Sequence, residues 1–452
     1  MQWFWRTAGG ALAVALCAAT TLVGQDAIVG SIMRTQVRAA TSPLLDGDPA
    51  PTAEADPFDA LLDDDVEQAA WLQQPGTAMP TLATNQPTVR RAATASRLAS
   101  TSLASVPNMF GDLPMSTAFI ETINTAGGPR AFANTFTLPL TSASRIGKIS
   151  ENDSPIPRDR VFFNYNHFQN VFQLSETQIF PPAPTVIRQE PIDRYTLGAE
   201  KTFFDGWTSV EVRMPMYGIP DTQLQSLGFN FGNWGNLTFV LKSLLYMDEA
   251  LAVGAGMSIE TPTGSSTFTR LATTQLQFLN QTTHLSPYIG FVWSPGDPRW
   301  GWGNGLFLTG FAQIDIATAS NTVNVLSPPG FPTNPPPLGK LTDQNLGFLD
   351  LGGGYWVYRD SFAPRWTGLA VIGELHYTTT LQDADRIAGA PNGIPIVLNA
   401  TGNRLDVLNG TIGLQALMFD ASSLRVAGVF PLGNENRRLF DSEVQVQFNR
   451  RF

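Results

Sequence analysis

The last twelve residues, Asp441–Phe452, read DSEVQVQFNRRF. Val444, Val446 and Phe448 occupy every second position, and Glu443, Gln445, Gln447, Asn449 and Arg451 occupy the positions between them. Successive side chains of a strand point to opposite faces, so the stretch predicts a β-strand with one apolar and one polar face. Thr283–Ser294 repeats the pattern, with Leu285, Ile289, Phe291 and Trp293 opposed to His284, Ser286, Tyr288 and Ser294. Working outward, the same period predicts twelve strands: 159–170, 192–204, 207–217, 234–246, 250–262, 284–294, 306–317, 345–357, 367–379, 404–416, 423–431 and 441–452. One apolar face per strand suits a sandwich and a barrel equally. The connections separate the two. They run about 21, 2, 16, 3, 21, 11, 27, 9, 24, 6 and 9 residues, long and short alternating nearly throughout. A membrane barrel has short turns at one rim and long loops at the other, whereas a soluble sandwich has no such parity. The expected fold is therefore an all-β, antiparallel transmembrane β-barrel of about twelve strands, fourteen if 132–151 adds a pair.

Composition agrees. Charged residues make up 15% of the 452, against ~25% in ordinary soluble domains, and the chain carries 29 Phe, 10 Trp and 8 Tyr. The net charge is −10, which argues against nucleic acid as a partner. Most of it sits in residues 41–70, where nine acids and no Lys or Arg give −9; residues 1–40 carry +2, leaving −3 for the other 382. Arg6 followed by the small apolar run Ala8–Gly24 predicts a secretory signal peptide, so 1–40 is read as signal and leader. The one cysteine, Cys17, lies within it, and the mature chain would hold no disulfide or thiol chemistry. Residues 41–130, acidic and then low in complexity (RRAATASRLASTSLAS at 90–105), are expected to be a periplasmic linker, because they lack apolar area to offset the entropy of ordering. The barrel is then 131–452. No later run of about 18 apolar residues exists, which leaves strands as the means of crossing a membrane.

The end of the chain resembles the C-terminal strand of outer-membrane β-barrel proteins. The resemblance implies that Val444, Val446, Phe448 and the terminal Phe452 form the signal read by the barrel-assembly machinery; Arg450 departs from the pattern, which usually places an apolar residue there. Phe231–Gly264 (FGNWGNLTFVLKSLLYMDEALAVGAGMSIETPTG) resembles the strand–turn–strand unit of outer-membrane transporters of the long-chain fatty acid and aromatic-hydrocarbon channel type. The likeness spans about 34 residues, and the sequence shows no match to that family's N-terminal plug.

If apolar faces meet lipid, alternation sends the polar residues inward, since a charge facing mid-bilayer costs ~2–4 kcal/mol. The lumen-lining candidates are Arg194, Glu200, Glu211, Arg213, Lys242, Asp315, Asp350, Glu374, His376, Arg425, Glu443 and Arg451, together with Thr196, Thr202, Tyr217, Gln313 and Gln447. Mixed charges fit a hydrated pore or a network across the lumen, and the long 318–344 connection is a candidate to fill it. Tryptophans and tyrosines near strand ends, among them Trp207, Trp293, Trp356 and Tyr377, are candidates for interfacial girdles. Glu374/His376 and His284/Ser286 are i, i+2 pairs, but no nucleophile elbow, phosphate loop or HExxH motif accompanies them; no catalytic residue, metal or cofactor is expected. The expected function is an outer-membrane channel passing small solutes by diffusion or facilitated transport, with outer-membrane lipid and the assembly machinery as partners. The alternative is a non-conducting anchoring barrel whose acidic tether binds an envelope component.

Overall fold

The computed structural model describes residues 102–112, 117–124, 131–139, 148–180, 186–218, 234–271, 274–295, 305–326, 337–360, 362–391, 395–398, 406–419, 421–433 and 438–452. The expected signal peptide, Cys17 and the acidic stretch 41–70 lie outside the described residues. The strands in chain order are β1 (Thr117–Asn124), β2 (Ala131–Pro139), β3 (Arg160–Phe180), β4 (Val186–Phe203), β5 (Thr208–Gly218), β6 (Thr238–Met247) and β7 (Leu251–Glu260). Next come β8 (Thr267–Leu271), β9 (Thr274–Phe278), β10 (His284–Trp293), β11 (Leu306–Ala317), β12 (Ser320–Leu326), β13 (Gly339–Thr342) and β14 (Leu346–Arg359). The chain finishes with β15 (Trp366–Thr380), β16 (Ile387–Gly389), β17 (Ile396–Leu398), β18 (Asp406–Met418), β19 (Ser422–Pro431) and β20 (Ser442–Arg451).

Twelve of these close into an antiparallel ring in the order β3-β4-β5-β6-β7-β10-β11-β14-β15-β18-β19-β20. The final seam runs from Arg160 opposite Arg451 to Gln169 opposite Ser442. Every ring strand has two strand neighbours, so no ring edge is left to pair with another chain. The twelve segments expected from alternation are these twelve strands. The fourth starts late, at Thr238, and Trp234 makes a lone bridge to Met216.

The fourteen-strand alternative is corrected. Residues 131–139 do form a strand, but it pairs with β1 and with the outer half of β3, beyond the ring. Asn170, with φ of 59°, marks a bulge between Phe168 and Phe172 where β3 leaves the wall. A bulge bends a strand in this way, and β3 and β4 continue outward as a ribbon on which β2, β1, β17 and β16 are laid in turn. Of the 318–344 connection, the described residues include two further strands. Its β12 and β13 join β9 and β8, from the β7–β10 connection, in a separate four-stranded sheet.

At one rim four of the five connections are short, 204–207, 248–250, 360–365 and 419–421, and the fifth, 294–305, is longer. Asp248 shows why such a turn holds. It accepts hydrogen bonds from Tyr246 Oη at 2.7 Å and from the backbone N–H of Ala250 and Leu251 at 2.8 and 2.7 Å. Those bonds, the tyrosine's first, hold its carboxyl below the ordinary carboxylate range.

Burial follows the predicted alternation. In β15 Glu374 and His376 are buried and Leu375 and Ile372's neighbour Val371 are exposed. Leu197, Leu241, Ile289, Leu349, Leu375, Ile412 and Leu414 form an exposed apolar band around the ring. Trp356 is the exception to the girdle expectation: it turns inward and is buried against Phe307 and Ala370. Ile412 is 68% exposed at the middle of β18, so Ile412→Arg is expected to cost ~2–4 kcal/mol if that band is wet by hydrocarbon. A urea titration of barrel refolded into lipid vesicles checks this; an unchanged midpoint would place the band in water.

Candidate functional site

The ring is lined by polar side chains, yet its middle is filled by the chain's own N-terminal region. Residues 102–112 and 148–158 (SLASVPNMFGD and KISENDSPIPR) carry Pro107, Pro155, Pro157 and Gly111. Proline lacks the N–H that a sheet ladder needs, so neither segment joins the wall. Both run through the lumen instead. The first starts beside the short-turn rim, where Arg359 Nη2 donates to Ser105 Oγ at 2.6 Å. Leu103, Val106 and Phe110 are fully or almost fully buried there, in a cluster with Phe307, Trp356, Ala370 and Ile372. The second pass returns to the same rim, since Arg158 precedes the first residues of β3. Met109 N donates to Asp153 O at 2.8 Å, and Asn152 N donates to Phe110 O at 3.3 Å, tying the passes together. At Gly111 φ is +76°, and a Cβ would stand 2.7 Å from Glu151 Cα, so only glycine fits the crossing. On the wall, Gly254 and Gly290 leave the space that Pro155 occupies; a Cβ at Gly290 would lie 2.9 Å from Pro155 Cγ.

The wall grips this strap through ions. Asp153 accepts from Lys242 Nζ at 2.6 Å, Arg160 Nη2 at 3.0 Å and Arg213 Nη2 at 3.1 Å. Glu200 binds Arg160 at 2.7 Å and Lys242 at 3.0 Å, and Glu211 binds Arg160 at 2.6 Å and also Arg213. Three cations (Arg160, Arg213, Lys242) and three carboxylates (Asp153, Glu200, Glu211) sum to zero, all six side chains being buried. Desolvated charges persist in such a place only when matched this way.

A second group sits higher on β14 and β15. Lys148 of the strap pairs with Asp112, also of the strap, and with Asp350 of the wall at 2.7 Å. His376 meets Asp350 at 2.9 Å and Glu374 at 3.1 Å. The two oxygens of Glu374 accept the backbone N–H of Phe110 at 2.7 Å and of Gly111 at 3.0 Å. Arg425 lies 4.0 Å over the Phe110 ring and donates to the carbonyls of Met109 (3.2 Å) and Asn108. Arg194 pairs with Glu151 at 2.8 Å. Asp112/Asp350/His376 and Asp153/Glu200/Glu211 each bring three metal-ligating groups within reach of one point. Lys148 touches two of the first set, and Arg160 or Lys242 touches each of the second. Both sets are thus paired with protein cations.

Of the lumen candidates, Arg194, Glu200, Glu211, Arg213, Lys242, Asp315, Asp350, Glu374, His376, Arg425 and Glu443 are all buried inside the ring. Arg451 is half-buried at its mouth. The structure brings Glu200, Glu211, Arg213 and Lys242 together, and separately Asp350, Glu374 and His376. Glu443 accepts from Asn166 at 2.7 Å and from Gln445 at 2.9 Å. Asp315 stands apart toward the long-loop rim, 3.0 Å from His284 Nδ1 and 2.8 Å from Ser286 Oγ. Ser286 Oγ thus donates to the same carboxylate that meets His284. Of the residues expected to form the assembly signal, Val444 and Phe448 are partly exposed, Phe452 is exposed and Val446 is buried. The residues missed were those of the strap: Asp112, Lys148, Glu151, Asn152 and Asp153. The one available signal was the charge density of 148–160, with six ionisable residues in thirteen, beside a nearly neutral barrel. The linker expected over 41–130 is also shortened, because 102–112 lies inside the ring and 117–124 is β1.

No family model matches the chain, and no curated protein matches it. Among solved structures the chain is similar to an outer membrane channel from Pseudomonas putida F1, at 14% identity over 68% of this chain and 99% of that one, with a TM-score of 0.42. It is similar to the NanC porin at 10% identity over 65% and 98%, TM-score 0.35. A third is the KdgM porin, at 10% over 64% and 99%, TM-score 0.30. The barrel itself rests on the strand pairing described above.

Proposed function

We propose that this chain is an outer-membrane channel for small solutes, closed at rest by its own N-terminal strap. The observation that carries the reading is that the ring is complete without the strap. All twelve strands pair with one another, so the strap can shift without breaking a strand–strand bond of the wall. The apolar exterior suits a bilayer, and the polar interior, once wet, suits aqueous solutes. The export signal over 1–40, recognition of Val444, Val446, Phe448 and Phe452 by the assembly machinery, and contact of the apolar band with outer-membrane lipid belong to the same proposal. In it the short-turn rim faces the periplasm. Planar-bilayer recording, comparing the full chain with one that begins at residue 113, tests it. Discrete current steps that grow in the shortened chain support the reading. Silence in both, together with no liposome swelling in small sugars, would overturn it and leave the anchoring barrel, whose acidic 41–70 stretch would then be sought in pull-downs.

A further inference from the structure

Between the first pass and the β18–β19 and β20 ends of the wall lies a cavity of about 100 Å3 at the short-turn rim. Three arginines, Arg158, Arg160 and Arg451, line it, with Ser422, Ser423 and Asn449, and no carboxylate does. The arginines are not equivalent. Arg160 is matched by Glu200, Glu211 and Asp153. Arg158 is only 9% exposed, yet its guanidinium reaches neutral acceptors alone: Asn108 Oδ1 at 2.7 Å and the Val106 carbonyl at 3.2 Å. Its Nε is buried with no hydrogen-bond partner. Among the described residues Arg158 makes no ion pair. Glu200 accepts from the Arg158 backbone N–H at 3.1 Å, but the guanidinium has no direct ion pair, which is costly for a buried charge, and it opens on a cavity whose other polar walls are arginine, hydroxyl and amide groups.

From this geometry we infer that the cavity is an anion site that takes a single oxyanion group, held by Arg158 and Arg451 and by hydroxyls of Ser422 and Ser423. The chemistry of the lining sets the class of ligand: guanidinium, hydroxyl and amide groups converge on one small cavity with no carboxylate, which suits a single phosphate, sulfate or carboxylate group. Guanidinium forks match the oxygens of such groups in geometry as well as charge. The oxyanion comes either free from solution or on the headgroup of a lipid at the rim.

Binding is read in detergent solution, without current, so its failure would leave the channel proposal untouched. Calorimetric titration of the full chain with inorganic phosphate, at ionic strength held constant with chloride, is expected to show one saturable site. Arg158→Gln and Arg451→Gln are each expected to weaken it on the order of tenfold or more, the loss of a charge-assisted hydrogen bond. Arg451→Gln lies on a ring strand, and its unboiled gel mobility verifies folding should Arg158→Gln fail to refold. Native mass spectrometry with added phosphatidylglycerol is the second arm. No phosphate heat, but one retained phosphatidylglycerol that both variants lose, assigns the oxyanion to a headgroup. Binding of neither, or equal binding by the full chain and both variants, would overturn the site.

Discussion

A refolded chain that begins at residue 113 is expected to pass single-channel currents several-fold larger than those of the full chain. Eight-stranded barrels are filled by their side chains, whereas sixteen strands leave an aqueous channel; a twelve-stranded ring lies between them, and what occupies its middle decides whether it conducts. Here the occupant is the strap. Removing the first pass takes Val106, Met109 and Phe110 out of the lumen, each at most 1% exposed. It also frees Glu374, which loses the N–H groups of Phe110 and Gly111, and Arg425, which loses two carbonyls and the Phe110 ring. In a dry interior those orphaned charges would be costly, but an opened lumen hydrates them. The second pass keeps its ion pairs with Arg160, Arg213 and Lys242, so the gain is a widened path rather than an empty ring. Bilayer recording at fixed salt measures the ratio. Equal currents from the two chains would mean that the first pass is no obstruction.

Asp153→Ala should release the second pass. The six-membered cluster is neutral with Asp153 present; without it three cations face two carboxylates, a surplus of +1. Breaking a buried ion pair by removing one partner costs ~3–5 kcal/mol, which at about 1.4 kcal/mol per decade is a shift of roughly a hundred- to several-thousand-fold in the seated population. The strap pays that cost only while it stays seated, because water entering the lumen screens the surplus charge. Lys148 reports the result. Its side chain is fully buried, so trypsin is expected to spare it in the parent chain and to cut after it in Asp153→Ala, with the ring strands intact. Cutting at the same rate in both proteins would show that Asp153 does not hold the strap.

The ring was legible in the sequence because alternation over ten or more residues is enforced by two incompatible surroundings, apolar outside and polar within, as Asp441–Phe452 displays. Loop parity added the topology. Three features were not legible. β3 and β4 run past the wall to Phe180 and back from Val186, since nothing in NVFQLSETQIF distinguishes a strand in the wall from one above it. β1 lies in the stretch whose composition reads as linker; it is ordered by pairing to β2 and to β17, a partner distant in sequence. The strap was missed for a similar reason. Lys148, Glu151 and Asp153 look like a solvated turn, and only the wall residues they meet, Arg194, Arg213 and Lys242, make them buried. Alternation put those wall residues inside correctly; it had no means of saying what they would touch.

The strap's path also bears on the order in which the protein is built. It rises through the lumen from the short-turn side and, as the β1–β2 hairpin, is stitched to the outer half of β3 before descending again to Arg160. The ring's last seam joins β3 to β20, the first and final strands of the wall. A finished hoop would have to let a folded hairpin squeeze through its bore, so the thread must already lie in place when the hoop is fastened. The N-terminal thread is then expected to be in place before the C-terminal strand closes the seam.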